Sequence, residues 1–124
     1  MGMFIFLFVM TMLIPFTMIV FGMLWKSHPP KNINWAYGYR TTMSMKNKET
    51  WDFAHKFLAL VWFYCGAVIA VISAILLIIF KNSDDFENMV TVLVLVQLVV
   101  LCLAIIPTEI ALNKHFNKNG YPKE

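Results

Sequence analysis

The chain has 124 residues, 60% hydrophobic and only 14% charged, with a mean hydropathy of +0.68. Soluble globular domains carry about 25% charged residues, so a water-soluble domain is excluded. Eleven Phe, nine Met and four Trp against five Gly and five Pro exclude collagen-like, low-complexity and disordered chains, which lack apolar surface to bury.

A membrane-crossing helix needs about 20 mostly apolar residues, and three stretches qualify. The first, residues 3–25, holds no charge and contains Pro15, a residue tolerated inside membrane helices as a kink. It has no basic leader and no small-residue cleavage site, so it is expected to be retained as a span. The second, residues 57–80, is bracketed by Lys56 and Lys81; the third, residues 89–111, carries Gln97 and then Pro107, Thr108 and Glu109 near its end. The expected fold is all-α: one membrane domain over residues 1–124, with three transmembrane helices, a loop or interfacial helix over 26–56 and a basic tail over 112–124. Cys65 and Cys102 lie in apolar runs and are expected as free thiols. About 1.5 Å per residue places them at similar depth, without implying a disulfide.

The net charge of +3 bears on topology. Lys26, Lys31, Arg40, Lys46, Lys48 and Lys56 sit between the first two spans, and Lys114, Lys118 and Lys123 follow the third, whereas the short turn at 81–88 has one Lys against Asp84, Asp85 and Glu87. The positive-inside rule then places the long loop and the C-terminus in the cytoplasm and the N-terminus outside. No groove-reading motif accompanies the basic balance, and no nucleic-acid partner is expected.

Within the loop, Pro29 and Pro30 end the first helix. Asn32 and Asn34 favour turns, and Trp35, Tyr37 and Tyr39 suit the membrane interface. Asn47 reads as a helix N-cap with Glu49 in the first turn, and the helix runs on toward the second span. Trp51, Ala54, His55 and Leu58 share one face at i, i+3, i+4 and i+7, while Asp52 and Lys56 are placed for an i, i+4 ion pair.

The set Tyr37-Gly38-Tyr39-Arg40-Thr41, Ser44, Lys46-Asn47 and Trp51, followed by a hydrophobic span, resembles the signature loop of the SdpI family. Those are bacterial membrane proteins named for immunity to a secreted toxic peptide. Thr42 stands where a Pro often follows Arg-Thr in that pattern, and His55 where an Asn often occurs; the chain is also short beside the founding type, which has more spans. The resemblance implies a multi-pass protein of the bacterial cytoplasmic membrane. It implies protection against a membrane-active peptide toxin and, in some contexts, signalling toward a cytoplasmic repressor.

Each candidate interaction has a plainer counterpart. Arg40, the sole arginine, has a planar fork suited to carboxylate or phosphate, and Glu109 lies on the same membrane side. Either Arg40 and Glu109 pair, clamping the loop onto span three, or Glu109 snorkels while Arg40 meets lipid phosphate. His55 reads as a proton switch or, more plainly, as a packed interfacial side chain. Gly66, Ala70 and Ala74 form a small-residue stripe on span two, extended by Ala59, and Gln97, Ala104, Thr108 and Ala111 offer a complementary line on span three. Gln97 is then interhelical glue or a functional group.

His28, His55 and His115 do not form a ligand spacing, so no metal is expected. No nucleophile with a base, carboxylate cluster or phosphate-cradling loop is evident, so neither an enzyme nor a cofactor is expected. The expected partners are the lipid bilayer, a peptide toxin, a cytoplasmic repressor and a second copy of the chain. The rival readings are a small holin-like pore-former, which would call for a richer polar pore face than one deep Gln, and an accessory subunit of a membrane complex.

Overall fold

The computed structural model describes residues 2–33 and 37–122. Four helices follow in chain order: α1 Gly2–Ser27, α2 Lys48–Ile79, α3 Phe86–Leu103 and α4 Ile105–His115. Three helical segments are long and apolar enough to cross a membrane, the third being α3 and α4 taken together. Large apolar side chains such as Phe6, Phe16, Val71, Ile79, Val92 and Ile110 point outward, as lipid-facing positions require.

The 32 residues of α2 make a rod of about 48 Å, longer than the roughly 30 Å of hydrocarbon it would cross. Lys48, Glu49, Asp52 and Lys56 all fall in its first turns, so this end is the part that projects beyond the apolar layer. Interfacial helix and second span are thus one continuous element.

The third span is not the single helix its composition suggests. Pro107 has no N–H to donate to the carbonyl of Leu103, and its ring crowds the turn four residues back. The helix accordingly breaks between Leu103 and Ile105. Just past the break, Thr108 donates twice to the Ala104 carbonyl, from its N–H at 3.4 Å and from its hydroxyl at 2.9 Å. By contrast, α1 continues through Pro15.

Helix α1 packs most extensively on α2, and small residues allow it. A Cβ on Gly22 would come within 2.8 Å of the Ala59 carbonyl oxygen and of Phe63 Cβ. One on Gly66 would lie 3.0 Å from the Pro15 carbonyl oxygen and from Met18 Cβ. The helix that approaches the small-residue stripe at Gly66 is therefore α1, because only glycine lets the α1 backbone come so near there. Ala70 and Ala74 are half-buried.

Span three meets α2 at a polar contact instead. Gln97, fully buried, donates from Nε2 to the Ser73 hydroxyl at 2.9 Å, which makes it interhelical glue. Ala104, Thr108 and Ala111 of the same line are also buried. At the far end, Leu77, Phe86 and Val90 form a core with Phe4, Leu7 and Phe8; at the loop end, Trp25, Ala54, Leu58, Leu112 and Phe116 form a second core. Cys65 and Cys102 are free and line different clefts.

Candidate functional site: a locked loop against an aromatic cluster

The first two turns of α2 anchor the site. Asn47 caps the helix: its Oδ1 accepts from the Thr50 N–H at 2.9 Å, and its own N–H donates to Thr50 Oγ1 at 3.0 Å. Thr50 occupies the place in this reciprocal box that Glu or Gln usually fills. Its hydroxyl also faces the Ser44 carbonyl at 3.1 Å, which joins the cap to the loop before it.

Ser44 organises that loop. Its hydroxyl, buried, lies 2.9 Å from the Tyr39 carbonyl and accepts from the Thr41 N–H at 2.8 Å, while the Ser44 N–H donates to Thr41 Oγ1 at 3.1 Å. Thr41 and Ser44 thus satisfy each other's backbone where no ladder partner exists, the reason hydroxyl residues recur in such turns.

The expected apolar face of α2 is where the loop lands. Trp51, Ala54, His55 and Leu58 are all buried. The His55 ring is held at both nitrogens: Nε2 accepts from the Tyr39 N–H at 2.8 Å, and Nδ1 faces the Trp51 carbonyl at 2.7 Å. A nitrogen that accepts a backbone N–H carries no proton, so the ring is the Nδ1–H tautomer, donating to Trp51. Of the two readings of His55, the geometry favours the packed, hydrogen-bonded side chain.

Gly38 makes this contact possible. Its φ is +118°, and a Cβ there would lie 2.6 Å from His55 Nε2 and 3.0 Å from the Trp51 ring. The residue needs both the open backbone region and the missing side chain.

Around His55 the aromatic rings interlock. Trp25 meets it edge-on at 4.9 Å, and Trp51 sits at 4.4 Å. Trp25 stacks on Trp62 at 5.8 Å. Each indole N–H finds an acceptor: Trp25 the Tyr37 hydroxyl at 2.9 Å, Trp51 the Pro30 carbonyl at 2.8 Å, and Trp62 the Leu101 carbonyl at 3.3 Å. The last bond ties α2 to α3 just before the break caused by Pro107.

Tyr39 is 8% exposed, and among the described residues neither its hydroxyl nor the buried Oε2 of Glu109 has a partner in full hydrogen-bond geometry, although Thr41 and Glu109 both act on the hydroxyl. Burial, and then the negative charge of Glu109, push the Tyr39 hydroxyl well above the ordinary tyrosine range. Tyr39, Arg40 and Thr41 of the loop line a cleft of about 270 Å³ together with Trp25, Trp62, Leu101 and Ile105 of the helices. Arg40 and Glu109, singled out as a pair, thus both adjoin Tyr39, one along the chain and one through its charge. Lys46 is exposed.

The ion pair at Asp52 forms with Lys48, Nζ to Oδ1 at 2.8 Å, not with Lys56. Side chains on a helix lean toward its N-terminus, so the short Asp52 carboxylate lies over the turn that carries Lys48. Asn34, Trp35 and Lys123, read as a turn former, an interfacial ring and a tail charge, lie outside the described residues.

The C-terminal tail belongs to the site, which sequence reading missed. After α4 the chain turns at Asn117–Gly120 and pairs Phe116 with Pro122 in an isolated bridge. Asn47 Nδ2 donates to the Gly120 carbonyl at 2.7 Å. Gly120, at φ +85°, lies so near Lys46 and Asn47 that a Cβ would come within 2.8 Å of Lys46 Cβ. Phe116 is buried against Phe53 at 5.4 Å. Glycine followed by an aromatic and Pro was the signal available, but nothing local says where such a turn docks. Among the described residues, no group of three or more His, Cys, Asp or Glu is arranged to hold a metal.

The model of the SdpI/YfhL protein family matches residues 31–108, more than half of the chain, including the loop from Gly38 to the start of α2. The uncharacterized protein YfhL of Bacillus subtilis (strain 168) is 45% identical over 53 residues, covering 43% of this chain. The matched segment spans about half (48%) of that curated relative. No solved structure matches.

Proposed function

Because the chain belongs to the SdpI/YfhL family, we propose that it is an SdpI-type membrane protein that gives a bacterium immunity to a membrane-active peptide toxin. What supports the reading is the loop. Gly38, Tyr39, Thr41, Ser44, Asn47, Trp51 and His55 fix one another through the bonds above. Beside them stays an apolar, aromatic-walled cleft with Arg40 on its loop side. Such a cleft suits an apolar peptide segment that has entered the bilayer, with Trp25 and Trp62 meeting its apolar side chains.

In this reading the long loop and the C-terminus face the cytoplasm, as their basic residues favour, and the N-terminus faces outward. Arg40 and Lys46 then offer a surface to a cytoplasmic repressor. Arg40 pairs with Glu109, drawing the loop onto α4. No residue is assigned a catalytic role, and the protein is read as a non-enzyme.

The test is the membrane potential of a bacterium expressing the chain, recorded before and after adding a membrane-active peptide, with Arg40→Ala at equal expression in parallel. The expected result is a potential that holds on expression, resists a peptide that depolarises control cells, and loses that resistance in Arg40→Ala. Collapse on expression alone overturns the reading in favour of a pore-former. A held potential without resistance overturns immunity to the peptide used.

A further inference from the structure

On the seam between α1 and α2, away from the aromatic cleft, two further clefts adjoin. One, of about 250 Å³, lies where α1 ends and α2 begins, and its walls include Ser27, Lys31, Lys48, Asp52 and Lys56. The other, of about 320 Å³, runs from Lys26 and Ser27 along Gly22, Met23, Leu60 and Phe63. Ser27 borders both, so a polar, head-sized recess opens onto an apolar trough.

The trough has a physical origin in Gly22. There the α1 backbone lies against the backbone of Ala59 and Phe63, which makes a shallow floor with Met23 and Leu60, both exposed, as walls. The recess has a net charge. Its one carboxylate, Asp52, is matched by Lys48 at 2.8 Å, which leaves the positive charge of Lys26, Lys31 and Lys56, all exposed at the rim.

We propose that this seam binds one anionic phospholipid, with its phosphate among Lys26, Lys31 and Lys56 and an acyl chain laid along Met23, Leu60 and Phe63. Basic recesses between spans recognise anionic head groups, and a trough on a helix seam holds a chain in place through ordinary apolar contact. A choline headgroup would bring a further cation among the lysines, so anionic lipid is preferred over zwitterionic. The inference requires only that α1 and α2 cross a bilayer, and it stands or falls independently of toxin immunity.

The test uses the full chain in neutral detergent, stripped of lipid, with thermal unfolding followed by tryptophan fluorescence. Dioleoyl phosphatidylglycerol, dioleoyl phosphatidylcholine or glycerol phosphate is titrated in. Phosphatidylglycerol is expected to raise Tm in a saturable way, by about 4 °C at saturation, while phosphatidylcholine and glycerol phosphate leave it unchanged. Lys26→Gln with Lys56→Gln is expected to weaken the response about fivefold per lysine, whereas Lys114→Gln with Lys118→Gln on the tail leaves it intact.

Should the first double variant melt low before lipid is added, Met23→Trp, which fills the trough without touching charge, is expected to abolish the response on its own. Equal stabilisation by phosphatidylcholine, or an equal loss of response in the tail variant, overturns the proposal. So does a matching response to glycerol phosphate, which would mark a soluble-phosphate site. Retention of one phosphatidylglycerol per chain in native mass spectrometry, lost in Met23→Trp, supports it.

Discussion

Gly38 and His55 are in backbone-to-ring contact: a Cβ on the glycine would lie 2.6 Å from Nε2 of the imidazole, the nitrogen that accepts the N–H of the next residue, Tyr39. Gly38→Ala therefore meets both a forbidden φ and a collision. A non-glycine residue there costs about 1–3 kcal/mol in backbone strain, and losing the Tyr39 bond leaves a buried N–H unpaired at about the same cost. The expected outcome is a lowered Tm with increased exposure of Trp51, read by tryptophan emission. An unchanged melt would show that the loop does not depend on this contact.

Tyr39 presents the opposite case. Among the described residues its hydroxyl is buried without a well-formed hydrogen bond, so Tyr39→Phe removes a desolvated group and at most a poorly aligned contact to Thr41 or Glu109. Stability is expected to stay within about 0.5 kcal/mol of the parent or to rise. Because the folded state holds this hydroxyl above the ordinary range, its neutral form contributes stability that is complete below pH ~10 and lost as pH rises further. Alkaline unfolding should therefore shift to higher pH in Tyr39→Phe. Titration of tyrosinate absorbance should show one tyrosine fewer ionising in the folded wild type until it unfolds.

Asn47 serves the α2 cap and the tail at once. Asn47→Ala removes the cap, worth ~1 kcal/mol, and the bond to Gly120, worth about as much. A loss of about 2 kcal/mol is expected, together with faster proteolysis across residues 116–122. Asn47→Asp keeps an acceptor for the Thr50 N–H but has no amide donor for Gly120, so it should recover the cap while leaving the tail sensitive. Equal proteolysis in all three forms would mean that the tail is held by Phe116 alone.

Ser73 and Gln97 form the polar bond between α2 and α3. A double-mutant cycle with Ser73→Ala and Gln97→Leu should give a coupling of about 0.6 kcal/mol, the usual size for such bonds between membrane helices. Because Gln97 Oε1 is buried without a partner among the described residues, Gln97→Leu alone is expected to cost little. A coupling near zero would leave packing as the whole basis of this contact.

The proposed Arg40–Glu109 pair is open to the same kind of cycle. Arg40→Ala, Glu109→Ala and the double variant should give matching losses of stability, so that the second substitution costs little once the first is made. Losses that add within about 0.5 kcal/mol would count against the pair and leave Glu109 acting on Tyr39 alone.

Much of this architecture is local in origin and was therefore legible. Apolar length marks the three spans, the Asn47 cap with Glu49 behind it marks the start of α2, and the i, i+3, i+4, i+7 spacing marks the buried face of Trp51, Ala54, His55 and Leu58. Each depends on residues a few positions apart. The family, too, was readable from the spaced loop residues, because each meets a fixed backbone need: Gly38 a positive φ, Thr41 and Ser44 a turn, Asn47 a cap.

What escaped depends on separation. The break at Ala104 was implicit in Pro107, but a proline in a span kinks, breaks or passes unnoticed according to its neighbours, as Pro15 shows. The helix that the Gly66 stripe admits was not legible, since a row of small residues says that some backbone approaches and not whose.

The amino-acid sequence by itself determined that the chain has three membrane-spanning helical segments, where α2 begins, and to which family the protein belongs, since hydropathy, capping and turn chemistry act over a few residues. Only the tertiary structure decided the loop's contacts. Tyr39 to His55 spans 16 positions, Trp51 to Pro30 spans 21 and Asn47 to Gly120 spans 73. Many donors and acceptors compete for each of those bonds in the sequence, and the choice falls to the geometry that α1, α2 and α4 impose once packed: which buried polar groups end up close enough to satisfy one another.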